Sequence, residues 1–252
     1  MGLFDKKNCA ICGAKIGLLG GKKLTDGNLC KDCSKKLSPW FDDYSASSAA
    51  DIGAQLEQRE RNREALSDFT ITYSAGDFGC IMLDENARKF IAVEDSSEKL
   101  FGNRGTITDI SQVIDRNPDI IDFAQVRDVT PDIKETHTEE MKQEGDRKVS
   151  YHPRRFIYKF TFAMVINVDH PYIKKLRIPM SSSPCKVRVY GETTGSTLDN
   201  ILKTVITSFN PGQSRVKDFW GFEYHDDTFR DLQICEQYLE TIDKVREKLT
   251  GN

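Results

Sequence analysis

The alternation of apolar and polar positions changes period along the chain, and the clearest stretch lies in its second half. Phe156, Tyr158, Phe160, Phe162, Met164, Ile166 and Val168 occupy every second position. Period two places all seven side chains on one face of a strand, so that face must point into a core. The other face carries Lys159, Thr161, Ala163 and Val165, and is expected to be only partly wet. Asp169-His170-Pro171 then turns the chain into a strand over Tyr172–Ile178, and Cys185–Tyr190 reads as another.

Shorter alternations precede this strand. Phe69, Ile71 and Tyr73 alternate with Thr70 and Thr72, and Ser74-Ala75-Gly76-Asp77 turns into Phe78–Leu83. Asp84-Glu85-Asn86-Ala87 closes a hairpin onto Lys89–Val93. Gly102 and Gly105 mark a less regular stretch, and Asp109–Ile114 reads as one helical turn ended by Pro118. Ile120–Val129 and Ile133–Thr138 are expected to pair with each other across a break at Thr130-Pro131-Asp132, and the charged Glu139–Lys148 to be a mobile loop.

Past Tyr190 the period becomes three-to-four. Leu198, Ile201, Leu202, Val205, Ile206 and Phe209 predict an amphipathic helix that Asn210-Pro211-Gly212 stops. An aromatic connection, Phe219-Trp220-Gly221-Phe222-Glu223-Tyr224, leads to a second helix near Thr228–Leu249, with Leu232, Cys235, Leu239, Ile242 and Leu249 on one side. The aromatics are expected to fold under the helices more than to form an interface. About eight strands followed by helices predict an α+β chain, its body a β-sandwich or curled barrel capped at one end.

The N-terminal quarter has no such periodicity. A helix is expected from Ser48 to Leu66, with Ser48 and Asp51 spaced as a capping box. Its apolar stripe is thin, Ile52 and Leu56 and then Ala65 and Leu66, among Glu57, Arg59, Glu60, Arg61, Arg63 and Glu64, so it reads as a solvated spacer. The resulting division is a zinc unit at 1–45, a helical linker at 46–67, a β-domain with its capping helix at 68–210, and an aromatic loop with the last helix at 211–252.

Ahead of the helix lie Cys9-Ala10-Ile11-Cys12-Gly13 and Cys30-Lys31-Asp32-Cys33, two C-x-x-C pairs with seventeen residues between them. Zinc sites use a separation of roughly 15–20 residues. A two-residue gap lets the backbone curl so that both thiolates reach one ion, and a second pair closes the tetrahedron, which makes such a metal structural. Gly13 can take positive φ in the first turn. Lys22–Leu29 reads as a hairpin turning at Asp26-Gly27, and Cys33–Ser38 as a short helix carrying the last ligand. Knuckle, hairpin and helix together describe a treble-clef zinc ribbon, onto which Pro39-Trp40-Phe41 is expected to pack. Disulfides, a rubredoxin-type iron site and four idle cysteines are the competing readings; disulfides need an oxidising compartment, and no signal peptide is seen. Cys80, Cys185 and Cys235 sit in apolar patterns and are expected to be buried, reduced thiols.

Charge and candidate chemistry narrow the function. The net charge of −3 over 252 residues argues against a dedicated nucleic-acid binder. Lys22, Lys23, Lys31, Lys35 and Lys36 nevertheless crowd the zinc unit, either as a solvated face or as a contact surface. No stretch approaches the roughly 18–20 apolar residues that span a bilayer, and Lys6 stands where a myristoylation site needs Ser or Thr. A cytoplasmic protein is expected. His137, His152, His170 and His225 are scattered; His225-Asp226-Asp227 could hold a metal, but acidic helix starts are common. No phosphate-binding loop, dinucleotide fingerprint or nucleophile elbow occurs, and Ser181-Ser182-Ser183-Pro184 is a turn by composition. The chain therefore reads as a non-enzymatic zinc-containing adaptor with a protein partner, the alternative being nucleic-acid binding through the lysine-rich ribbon.

The N-terminal motif, Cys9–Gly13 through Leu18-Leu19-Gly20-Gly21-Lys22-Lys23-Leu24 and Asp26-Gly27 to Cys30–Cys33, resembles the short four-cysteine zinc-ribbon domain of unknown function that heads many bacterial and phage proteins. That resemblance covers residues 8–40. Several such proteins continue into a pleckstrin-homology-like (PH-like) β-domain, which Asn117–Val129 followed by Phe156–Ile178 resembles. The resemblance implies a PH-like body. The family's glycine-rich apolar insertion stands here as the charged Glu139–Lys148, which argues against a membrane role. Lipid headgroups enter only by fold analogy and are not the expected partner.

Overall fold

A computed structural model describes residues 7–17, 20–77, 80–93, 107–190, 215–217 and 223–251, with side chains omitted from 215 to 229. The helix expected at 198–209, the Gly102–Gly105 stretch and most of the aromatic run from Phe219 lie outside the described residues, as do the side chains of His225, Asp226 and Asp227. The described chain is α+β: a four-cysteine cluster with two small hairpins, a helix, then antiparallel sheets packed against a C-terminal helix.

At the front, β1 (Lys7–Asn8) pairs with β2 (Lys15–Ile16), and β3 (Lys22–Lys23) pairs with β4 (Asn28–Leu29). A short helix, α1 (Lys31–Ser34), follows at once. Helix α2 spans Ala49–Ala65 and starts in the expected capping box: the Ser48 hydroxyl accepts from the Asp51 N–H, and the Asp51 carboxylate accepts from the Ser48 N–H. Asp26, at the tip of the β3–β4 hairpin, accepts from the Ala49 N–H at 2.8 Å and so ties the hairpin to the helix start.

The body holds two sheets. The smaller has the order β5 (Tyr73–Ala75), β6 (Ile81–Asp84), β7 (Lys89–Ala92), β8 (Ile121–Asp122). Buried Asp84 organises the β6–β7 turn by accepting from the N–H groups of Thr70 and Ala87. The larger sheet is built on β9 (Val126–Glu144) and β10 (Arg147–Val168). β10 is flanked on its other side by β11 (Lys175–Pro179) and β12 (Cys185–Tyr190), and β12 leads on to β14 (Glu223–His225) and β13 (Arg215–Lys217). All seven alternating residues of β10 are buried, and Lys159 on the opposite face is exposed. Helix α3 (Asp226–Thr250) packs on β9 and β12 and buries Leu232, Cys235, Ile242, Val245 and Leu249.

Four expectations are corrected. The region expected to hold two paired strands is one continuous strand, β9, paired along its length with β10. Among the described residues β9 has a strand neighbour on one side only, and proline is tolerated on such a strand where its nitrogen faces away from the partner. The charged Glu139–Lys148 stretch is a hairpin and not a loop. Its turn is Gly145-Asp146 with Gly145 at φ +60°, the glycine-first arrangement of a type II′ turn, and cross-strand pairs support it. Trp40 leaves the cysteine unit to pack on the main core, while Phe41 stays with the cysteines.

Helix α2 is the fourth correction, because it is not a solvated spacer. Ile52, Gln55, Arg59, Asn62 and Leu66 are all buried, at steps of three and four along one face. Arg59 Nη1 meets Asp119 at 2.7 Å, and its Nε donates to the Lys36 carbonyl. The Ser38 hydroxyl and the Tyr172 phenol also donate to Asp119. Asn62 donates to Asn117 and to the Pro118 carbonyl and accepts from the Ile120 N–H. A buried polar seam thus joins the cysteine unit, α2 and the body.

Candidate metal centre

The two C-x-x-C pairs converge. The Sγ atoms of Cys9, Cys12, Cys30 and Cys33 all lie within 4.8 Å of one another, the only group of three or more potential ligands among the described residues. Cys9, Cys30 and Cys33 are buried and Cys12 is exposed. All seven cysteines of the chain are free, so the disulfide reading falls. A tetrahedral ion with metal–sulfur bonds of about 2.3 Å would set its sulfurs about 3.8 Å apart. Cys12 and Cys30 stand 3.7 Å apart, so the cage needs little adjustment to close on an ion of that size.

Local backbone explains the convergence. Gly13, at φ +72°, bends the first pair back, its N–H donating to the Cys9 carbonyl at 2.9 Å. The second pair brackets the start of α1: Cys30 is the N-cap, and its sulfur accepts from the Cys33 N–H at 3.4 Å. The Cys30 N–H in turn reaches the Cys9 sulfur at 3.3 Å. Such N–H donors favour thiolates over thiols. Burial pushes the Cys9 thiol up, but hydrogen bonds from the backbones of Cys12, Cys30 and Ile11 outweigh it and bring its pKa down to about 6. Cys33 is raised by burial and by the neighbouring sulfurs, including the charge of Cys9. A bound cation would favour the thiolate form of all four side chains.

The cage sits in its own small core. Cys9, Leu24, Leu29, Cys30, Cys33, Leu37, Phe41 and Ile52 form one cluster, the last contributed by the first turns of α2. Residues 7–55 match the family model described as a domain of unknown function (DUF4428). That segment runs past the cysteines because the unit's core does: without Ile52 and the Asp26–Ala49 bond the hairpins lose one wall. No curated protein and no solved structure matches the chain.

Lys22, Lys23, Lys31, Lys35 and Lys36 are all exposed. They do not form one face. Lys22 and Lys23 are adjacent on β3 and point to opposite sides, Lys22 lying 5.0 Å from the centre of the Tyr44 ring, whereas Lys31 and Lys35 share a face of α1. His137 stacks on Tyr158 within the large sheet, 5.1 Å between ring centres, and His170 lies edge-on to Tyr172. Of the three remaining cysteines, Cys80 and Cys235 are buried and Cys185 is half-buried.

The polar seam around Asp119 was invisible to hydrophobic periodicity.

Proposed function

We propose that the cysteine cage holds a structural zinc ion and that the chain is a non-enzymatic adaptor whose partner is a protein. The observation that carries the reading is the donor set itself: four converging thiolates complete a tetrahedron and leave no position for water or substrate. Zinc fits better than iron because the second pair lacks the glycine that follows the first, and the unit's small core makes a metal contribution to its folding large. The body, two antiparallel sheets closed by α3, is read as PH-like, and the cytoplasm as its compartment.

The lysines around the cage favour a second reading, nucleic-acid binding by the zinc unit. Both are tested with the full chain and a variant carrying Glu at positions 22, 23, 31, 35 and 36. The adaptor reading expects the wild type to retain a protein partner that the variant loses, with modest salt dependence. Duplex binding whose affinity falls steeply with salt and vanishes in the variant would replace that reading with the second. Retention of the same partner by both chains would remove the lysines from either role.

A further inference from the structure

A cleft of about 590 Å³ lies between α2, the Phe41–Ser47 segment and the segments around Ile120–Gln125 and His170–Lys174, and shares Phe41 and Ile52 with the core of the cysteine unit. Its size is that of a small-ligand site, typically about 300–1,000 Å³. Gln55 of α2 lines it, is only 3% exposed, and has no hydrogen-bond partner at either carboxamide atom. Buried polar groups in folded proteins are nearly always paired, so an amide with both ends open marks a place where something else docks. Nδ1 of His170, in the same wall, is likewise buried and unpaired.

The charge of the lining is one-sided. Asp42, Asp43, Asp51 and Asp122 face Arg61 and Lys174, four acids against two bases and so a net of two negative charges. Lys174 is already paired with Asp43 at 2.6 Å, and Arg61 is hydrogen-bonded to Gln58. His170 adds no opposing charge at neutral pH: burial lowers its pKa, against the pull of Asp119 and Asp122.

We propose that this cleft binds a lysine- or arginine-bearing peptide segment. A peptide group would pair its N–H and C=O with the acceptor and donor of the Gln55 carboxamide, while the cationic side chain lies against Asp42 and Asp122. Both carboxamide atoms are covered in the unliganded chain, so pairing with a ligand requires the Gln55 side chain to change rotamer. A simple polyamine supplies the cation but has no acceptor for the Gln55 amide. The proposal rests on the adaptor reading and adds to it a contact in the cleft, separate from any that the lysines make.

Calorimetric titration of the full, metal-loaded chain tests it, with an acetylated and amidated peptide alternating glycine and lysine as the probe. The same peptide with glutamate for lysine, and spermidine, are the comparisons. The lysine peptide is expected to bind saturably, the glutamate peptide not at all, and spermidine about tenfold more weakly. Gln55→Met, which keeps the shape and removes the unpaired amide, should weaken the lysine peptide about tenfold while thermal stability holds or rises. Asp122→Asn should weaken it as well. Absence of saturable binding to the wild type, equal affinity for spermidine, or unchanged affinity in both variants would overturn the assignment. If the charge-reversal comparison above retains a partner and this peptide fails, the cleft alone is wrong. If the peptide binds and no partner is retained, the cleft stands and the role given to the lysines falls.

Discussion

Gly76 leaves β5 at φ +88°, and a Cβ placed there would meet the Cys80 sulfur, which donates to the Pro179 carbonyl at 2.8 Å. Gly76→Ala is therefore expected to destabilise the chain by about 1–3 kcal/mol, measured by denaturant titration, because the new side chain is strained in conformation and crowds a buried thiol. His170 supplies a pH dependence with a definite sign. Its pKa in the folded chain lies below the ordinary 6.5, so unfolding takes up a proton in the interval between the two values. Its contribution is complete above pH 6.5 and is lost as pH falls through the lowered value. Comparison of wild type and His170→Gln should show the wild type losing more stability on acidification. Identical slopes would remove His170 from the account. Gly13 and the four converging cysteines could be read from sequence because their spacing is itself the geometry. Gln55 and Asp119 could not, because a polar residue carries no mark of burial until its partner, distant in sequence, is known.

Helix α2 shows how an element can be found and still be misjudged. Its start was legible in Ser48 and Asp51, yet its environment was not, since Arg59 and Asn62 bury themselves by hydrogen bonding and not by apolarity. The ion pair between Arg59 and Asp119 has side chains 6% and 1% exposed. Asp119→Ala would leave the guanidinium buried without its partner, a change that typically costs about 3–5 kcal/mol. Adding Arg59→Met should recover much of that loss. A double-mutant cycle that found the two substitutions additive would mean the pair is not coupled. β9 illustrates the opposite failure. Pro131 and the charged run after it look like breaks, but an edge strand tolerates both, and Gly145 supplies the turn. The long alternation of β10 was legible because a central strand buried on one face must show it.

At the level of the whole molecule, the cysteine unit and the body are joined by Ser38, Lys36, Arg59, Asp119 and Tyr172 and not by a loose tether. Stripping the metal should then reach past the cage. Hydrogen exchange after chelation is expected to lose protection over residues 7–55 and also to rise at 117–120, whose partners lie on α2. A change confined to the cysteines would mean that the seam does not transmit the loss. All of this hangs on the cage, and the most direct measurement is the metal content of the purified chain together with a variant carrying Cys30→Ser and Cys33→Ser. One zinc ion per chain in the wild type and none in the variant is the expected result; a wild-type chain that folds without zinc, or that carries iron in its place, would contradict it.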